Sequence, residues 1–555
     1  MKLFKNLYYT LFFLFISNIV YSQSNDTEKL IYLVTKNQST PQGFKSKKEI
    51  TTHLQNLIEQ EREKGFLNTY FENLEKLNDS TYITSIVKNE QVQFLNIRNI
   101  DSLPEIIKED FLWKGKINEV TIPIAEISSK LNYLNSKLSK AGYPFNKLKL
   151  KNIIEQNDSI YANLHVTGLQ KRRLDSIVVK AYPKFPKSFI KYYAGVKKGN
   201  TYDNENIVNQ AELLNSLPFT SNIKPAEVLF NPKNTVLYLY LKKENANNFD
   251  GFIGFSTDED TGNLTLDGYL DLNLINNFNF GEELRITYKS DSESQQQFSA
   301  TTKLPYLFKL PLGIEASLSI FTQDDEFSTT EQNIGINYTL NPRISFFTGY
   351  KKYESADLNE DENIVSLNTN FESQFLQSEV RYVHKQNKLL FPQKTSIVLN
   401  AEIGERSNEN VNQYKIGANI KHIFQLNNRN SIYIANNTQY FISSNFLNNE
   451  LYRLGGILSI RGFEENSLRA TAFNVLNTEY RYQLSSSIYA HSIIDFGFTQ
   501  NEFTNTRDRL TSFGIGFGML SKAGLFKLNY ANGRSNSIPF EFGNSKIHLS
   551  LTAYF

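Results

Sequence analysis

The chain has 555 residues, with 59 basic and 57 acidic side chains and a formal net charge of +2. It is longer than one ordinary domain. The near-neutral charge argues against a dedicated nucleic-acid-binding protein, which needs a basic bias to meet phosphates. The chain has no cysteine, which excludes disulfides, thiolate catalysis and cysteine-ligated zinc.

The N-terminus has the pattern of an export signal. Lys2 and Lys5 precede a mostly apolar stretch, residues 7–20, and a polar stretch follows Ser22. We therefore predict a cleavable signal peptide over residues 1–22, the alternative being an N-terminal membrane anchor. No later stretch approaches the roughly 20 apolar residues that a spanning helix needs, so the mature chain could cross a membrane only as a closed barrel.

After the signal, apolar residues at helical spacing alternate with short strand-like runs up to about residue 245. The helices should end at three similar breaks, Lys64-Gly65-Phe66, Ala141-Gly142-Tyr143 and Leu217-Pro218-Phe219. The aromatic residues of these breaks are 77 and 76 positions apart, which indicates three copies of one α/β module. We assign the copies to residues 24–96, 97–170 and 171–245.

The third copy is the clearest. It predicts a strand over 174–181, a helix over 186–194, a second helix capped by Asp203, and a closing strand over 236–241. Strand-helix-helix-strand-strand resembles the POTRA domain, a polypeptide-transport-associated module that binds chains by adding a strand to an exposed sheet edge. The first two copies fit less well because their first helix is hard to place. Another periplasmic α/β repeat is the alternative.

From residue 246 to residue 555 the apolar period changes to two, as in Ile397, Leu399, Ala401 and Ile403. Such alternation is typical of transmembrane barrel strands, although a soluble sandwich has the same period. With roughly 9–11 residues in each spanning strand and connections of similar length, about 16 strands fit. The predicted fold is therefore α+β POTRA repeats followed by an all-β transmembrane barrel of about 16 antiparallel strands.

One loop and two strands near the C-terminus carry a more specific signal. The loop contains Arg461, Gly462 and Phe463, and Glu479-Tyr480-Arg481 and Asp495-Phe496-Gly497 follow on two successive strands. This arrangement resembles the BamA/TamA superfamily of outer-membrane assembly proteins, most of all its TamA-like members. The resemblance implies that the loop folds back into the barrel and that Arg461 pairs there with Asp495 and Glu479. Ile460 stands where valine is usual in the family.

The resemblance also implies a weak seam between the first and last barrel strands. Phe249, Gly251 and Gly254 lie in the first strand and Phe555 ends the last. Glycine weakens a strand or lets it bend.

No catalytic or cofactor site is expected. The six histidines form no pair at metal-ligand spacing, and Gly514, Gly516 and Gly518 lie in a strand-like run rather than a dinucleotide-binding turn. We therefore predict that the protein is not an enzyme and needs neither nucleotide nor metal.

The predicted function is assembly or translocation in the outer membrane of a Gram-negative cell, with the POTRA repeats in the periplasm. The expected partners are the lipid bilayer, unfolded outer-membrane or secreted proteins, and a periplasmic accessory protein, but no nucleic acid. The alternative is a two-partner-type secretion pore, which exports a polypeptide through the barrel lumen. That class usually carries two POTRA domains and a plug helix. A passive porin would have no use for the soluble repeats.

Overall fold

The computed structural model describes residues 30–35, 38–111, 119–257, 264–290, 295–323, 326–359, 368–386, 388–407, 409–457, 459–521, 524–536, 538–541, 543 and 545–554. The chain divides into two compact units, residues 1–172 and 173–555. The predicted signal peptide, residues 1–22, lies outside the described residues.

The first module is a four-stranded sheet packed against one long helix. The helix buries Ile50 and Leu54 beside Leu33 of the sheet, and the side chain of Ser46 caps its first turn by accepting from the Glu49 amide. The sheet order is β2-β1-β5-β4. The elements are β1 (Ile31–Thr35), β2 (Gln38–Phe44), α1 (Lys47–Glu63), β3 (Tyr70–Phe71), β4 (Glu75–Asn78), β5 (Thr81–Thr84) and β6 (Ile86–Val87).

The first helix of the strand-helix-helix-strand-strand pattern is absent from the described part of this module. Its place is taken by β2, which pairs antiparallel with β1. Pro41 and Gly43 stand in this segment, and both residue types disfavour a helix interior. This explains why the helix is hard to place from the sequence.

The second module has the sheet order β8-β7-β10-β9, with β7 and β10 parallel. Its long helix buries Leu134 and Leu138 against Leu95 and Leu164 of the sheet. A short helix does precede the long one here. The elements are β7 (Phe94–Ile97), a 3-10 turn (Ile100–Ser102), α2 (Glu105–Lys108), β8 (Val120–Pro123), α3 (Ile124–Lys140), β9 (Lys147–Gln156) and β10 (Ser159–Thr167).

The third module belongs to the second unit, together with the barrel. The predicted cap is present, because the Asp203 carboxylate accepts from the Glu205 and Asn206 amides at 3.0 and 3.4 Å. The first helix is shorter than predicted, a single π-helical segment. The elements are β11 (Ser176–Lys180), the π-helix (Phe189–Tyr193), α4 (Asn204–Asn215), β12 (Thr220–Asn222), β13 (Glu227–Phe230) and β14 (Thr235–Lys243).

Two of the predicted helix breaks have the backbone that glycine favours. Gly65 and Gly142 follow α1 and α3 with φ of +102° and +98°. Among the described residues, every helix is too short or too polar to cross a lipid bilayer.

The described residues in the rest of the second unit form a closed barrel of sixteen antiparallel strands, which confirms the predicted fold class. The wall runs in chain order except that two short strands, β26 (Tyr452–Leu454) and β27 (Leu468–Ala470), form a separate hairpin inside a loop. The wall strands are β15 (Asn248–Thr257), β16 (Leu264–Ile275), β17 (Glu283–Ser290), β18 (Gln295–Leu304), β19 (Leu312–Gln323), β20 (Phe327–Asn341), β21 (Ile344–Asp357), β22 (Phe371–Lys385), β23 (Gln393–Arg406), β24 (Val411–Gln425), β25 (Asn430–Ser443), β28 (Ala472–Gln483), β29 (Ile488–Asn501), β30 (Thr506–Ser521), β31 (Gly524–Arg534) and β32 (Lys546–Tyr554).

The two faces of the wall differ as the period of two predicts. On β20, Ile334, Ile336 and Tyr338 are exposed on the outer face. On the inner face, ion pairs join strands that are not neighbours in the wall. Arg381 on β22 binds Glu315 on β19, with Nη1 2.7 Å from Oε2. The lumen is therefore lined by charged side chains.

Candidate functional site

A long loop folds back into this lumen. We call residues 444–471, which connect β25 to β28, the lumen loop. Its residues Leu454, Ile460 and Phe463 are buried in one cluster with Val475 of β28 and Leu510 of β30. The apolar contact fixes the loop against the inner wall.

Arg461 lies at the centre of the buried contact, and the structure brings it together with both carboxylates named from the sequence. Its Nη2 lies 2.5 Å from Asp495 Oδ1 and its Nε 2.9 Å from Oδ2, so the guanidinium donates to both oxygens. The Arg461 amide also donates to Oδ2 at 3.1 Å. Nη1 donates to Glu479 Oε1 at 2.5 Å. A planar guanidinium is suited to this forked geometry.

Burial makes this network energetically demanding. Arg461 is 6% exposed, Glu479 8% and Asp495 0%. Arg481 binds the other oxygen of Glu479, with Nε 2.7 Å from Oε2. Two arginines therefore face two carboxylates, and each charge removed from water has an opposite charge at hydrogen-bond distance.

The next two residues of the loop lie against β31. Gly462 has φ of +83°, and a Cβ placed on it would lie 2.5 Å from the carbonyl carbon of Asn532 and the amide of Gly533. Glycine is required by both the backbone conformation and the space. The Phe463 ring covers Gly533, where an added Cβ would lie 2.7 Å from Cε2. The loop tip and β31 are therefore in direct backbone contact.

A second attachment holds the start of the lumen loop to another part of the wall, strands β23 and β24. Glu450 is 4% exposed. Its carboxylate accepts from Arg406 Nη2 of β23 at 3.3 Å and from Gln413 Nε2 of β24 at 2.9 Å. Arg406 is fully buried and also donates to the Asn445 carbonyl at 2.7 Å. Buried ion pairs at Glu450 and Arg461 thus hold the loop to the wall at two points.

Beneath the loop lies a polar cavity of about 260 Å³ lined by Lys351, Lys415, Glu331, Glu402 and loop residues including Arg453. Lys351 binds Glu402 with an N–O distance of 2.6 Å. Lys415 instead lies among four aromatic rings, its Nζ 4.7–5.9 Å from the centroids of Phe441, Phe375, Tyr353 and Tyr452. Such cation–π contacts stabilise a desolvated ammonium group.

The barrel closes through a short pairing of β15 with β32. Among the described residues, this seam consists of three residue pairs, Asn248–Tyr554, Phe249–Ala553 and Asp250–Thr552. By comparison, β15 forms ten pairs with β16 and β32 forms seven with β31. Of the residues named from the sequence, Phe249 lies in the seam pairing. Gly251 and Gly254 lie just beyond it and pair with β16, and Phe555 lies outside the described residues.

Residues 276–546 match the model of the Omp85 superfamily domain. Most of the barrel is therefore an Omp85 superfamily domain. The fold of the chain is similar to that of CdiB from Escherichia coli, with 13% identity and a TM-score of 0.53 over 91% of this chain and 98% of the other. CdiB from Acinetobacter baumannii gives 15% identity and a TM-score of 0.52 over 91% and 98%. BamA from Haemophilus ducreyi lacking POTRA domains 1–3 has 14% sequence identity and a TM-score of 0.49. The match covers 83% of this chain and 100% of the other. No curated protein matches the chain.

The third, POTRA-like module packs against the turn end of this Omp85 barrel. The Tyr182 hydroxyl donates to Asn279 Oδ1 and accepts from Asn276 Nδ2, both at 2.8 Å. Burial raises the pKa of this hydroxyl, which keeps the donor protonated. Phe189 meets Tyr306 edge to face, with 4.8 Å between ring centroids. The module and the turns therefore share one hydrophobic core.

No sequence pattern points to Glu450, Arg406 or Gln413, nor to any residue of the interface between the third module and the barrel. The partners of these contacts are tens of residues apart and leave no periodic pattern. Glu464 and Glu465 were not singled out either, although they directly follow Phe463 of the loop that the family resemblance marks.

Proposed function

We propose that this Omp85 protein is an outer-membrane assembly factor of the TamA-like kind, with its barrel in the outer membrane and its three modules in the periplasm. The modules receive unfolded substrate proteins, and the seam templates the insertion of their strands into the bilayer. No nucleotide or metal is involved, since the substrate's own folding supplies the free energy.

The three-pair seam is the observation that carries this proposal. A backbone hydrogen bond contributes a net of about 0.5–1.5 kcal/mol, so opening three pairs requires far less free energy than opening any other strand pair of the wall. An opened seam offers β15 and β32 as unpaired strand edges. Unpaired edges are templates for another strand.

The second module supports the substrate-receiving step. Strand β9 is ten residues long and lies at the edge of its sheet, with β10 as its neighbour. Ile153 and Ile154 on this strand are 60% and 54% exposed. A long edge with exposed apolar side chains suits strand addition by an unfolded chain.

Export of a polypeptide through the lumen is the competing function. The lumen loop disfavours it, because the ion pairs at Glu450 and Arg461 would both have to break before a chain could pass. Controlled depletion of the protein, followed by an inventory of outer-membrane and secreted proteins, separates the two functions. Assembly predicts the loss of several outer-membrane components, whereas the loss of one secreted protein alone would contradict it.

A further inference from the structure

Two adjacent carboxylates of the lumen loop, Glu464 and Glu465, bind lysines on opposite sides of the seam. Glu464 Oε1 lies 2.7 Å from Lys546 Nζ, at the start of β32. Glu465 Oε2 is in direct contact with Lys289 Nζ near the end of β17. The segment therefore connects β32 to the third strand of the wall, across β15 and β16.

These two ion pairs lie at the opposite end of the seam from its strand pairing. The three seam pairs lie at the start of β15 and the end of β32, next to the third module. Lys546 and Lys289 lie toward the other end of their strands, where the lumen loop enters. Between Gly251 and Thr257, β15 pairs with β16, and none of these residues pairs with β32 in the described part of the chain. The two ion pairs thus bridge the part of the seam in which the described residues of β15 and β32 form no pairs.

Neighbouring contacts hold the segment on both sides. Toward β32, Gly462 and Phe463 lie against Gly533 of β31. Toward β17, Asn466 Nδ2 lies 3.1 Å from Gln295 Oε1 of β18. The Arg461 network fixes the chain just before the two glutamates. The backbone of Glu464 and Glu465 is therefore held in place, and their carboxylates bind the lysines from a fixed position.

We propose that Glu464 and Glu465 are positioning residues that keep the seam closed, so that release of the lumen loop and opening of the seam are one coupled event. The proposal deepens the seam-templating function and rests on it for its biological meaning, although the closure itself can be measured separately. Both ion pairs are partly exposed, with side-chain exposures of 34% and 68% for Lys546 and Glu464. Exposed pairs of this kind contribute modestly.

The test is hydrogen–deuterium exchange on the full-length protein in detergent. We expect Glu464→Gln/Glu465→Gln to accelerate amide exchange over residues 248–250 and 552–554 about threefold to tenfold, from the loss of two exposed ion pairs. The matched control is Glu354→Gln, which removes the Lys352–Glu354 pair on β21, with side-chain exposures of 31% and 37%. It should leave exchange in the seam unchanged.

Two further variants keep the outcome clear. The charge swap Glu464→Lys/Lys546→Glu should restore slow exchange relative to Glu464→Lys alone, which a merely misfolded loop would not do. In the cysteine-free chain, a disulfide between Phe249→Cys and Ala553→Cys should abolish the acceleration. Unchanged seam exchange in the folded double variant would overturn the closure role. Faster seam exchange with unaltered outer-membrane assembly would support the closure role of the two glutamates. It would contradict the proposed function of the seam instead.

Discussion

At the scale of single residues, the molecule concentrates buried charge at Arg461. The family resemblance led to Arg461, Glu479 and Asp495 as partners, and the distances between them are those of direct hydrogen bonds. Arg481, the fourth charge of the network, could not be predicted from the sequence to bind Glu479, because a Glu-x-Arg pair on one strand is common. The ion pair between Glu450 and Arg406 could not be predicted either, because the two residues lie 44 positions apart in the sequence.

Removing either partner of the central pair should destabilise the barrel. We expect Arg461→Ala and Asp495→Asn each to lower the free energy of unfolding by about 3 kcal/mol, because the remaining buried charge loses its partner. The double variant should lose less than the sum, since it leaves no such charge on that side. Urea unfolding in detergent, followed by migration of unheated samples in gels, measures these values.

An exposed pair provides the control for this cycle. Asp271 binds Arg285 with two hydrogen bonds on neighbouring strands, at 30% and 54% side-chain exposure. Asp271→Asn should lower the free energy of unfolding by about 1 kcal/mol or less. Strict additivity of the Arg461 and Asp495 substitutions would show that the contact contributes no coupling.

At the scale of elements, the helix breaks and the alternation of the strands were predictable because they follow from local residue types. Gly65 and Gly142 end helices, and the period of two gives one apolar and one polar face to each wall strand. The contact of the third module with the barrel was not predictable, since it joins Tyr182 and Phe189 to turns about 100 residues later. No local pattern marks such a surface.

This contact makes a prediction about Gly281, in the turn between β16 and β17. Gly281 has φ of +76°, and an added Cβ would lie 2.2 Å from the Phe189 ring. Gly281→Ala should therefore displace Phe189 and loosen the third module from the barrel. We expect faster proteolysis of the module and faster amide exchange around Tyr182, with the barrel still migrating as a folded species.

Gly199 offers a matched control for the backbone. It has φ of +90°, and an added Cβ would meet nothing within 4 Å. Gly199→Ala carries a similar conformational strain, about 1–2 kcal/mol, without the collision. Equal effects of the two substitutions on proteolysis would assign the Gly281 effect to strain alone and contradict the proposed contact.

At the scale of the whole molecule, the chain divides at residue 172, between the second and third modules. The sequence repeat predicts all three modules in one soluble half. The spacing of a repeat carries no information about which module packs on the barrel. The core of the third module includes Tyr306 and Ile275 from the barrel strands and turns. The repeat predicts three modules, and the packing places the third of them against the barrel.

A pair of fragments tests this division. Residues 24–172 should fold alone, with mixed helix and strand in circular dichroism and a cooperative thermal transition, because the described residues of their two core clusters all lie within this range. Residues 24–244 should show a second, weaker transition, since the third module lacks Tyr306 and Ile275. A single transition of undiminished cooperativity in the longer fragment would show that the third module is stable without the barrel.

The central claim, that the seam of this Omp85 barrel must open for the protein to work, is tested most directly by locking it. The chain has no native cysteine, so Phe249→Cys/Ala553→Cys places a single disulfide across the seam. A control disulfide, Thr348→Cys/Ser378→Cys, joins paired residues of β21 and β22. In cells depleted of the native protein, the seam disulfide should abolish assembly of outer-membrane proteins and a reductant should restore it, while the control disulfide has no effect. Full assembly by the oxidised, seam-locked protein would contradict the account.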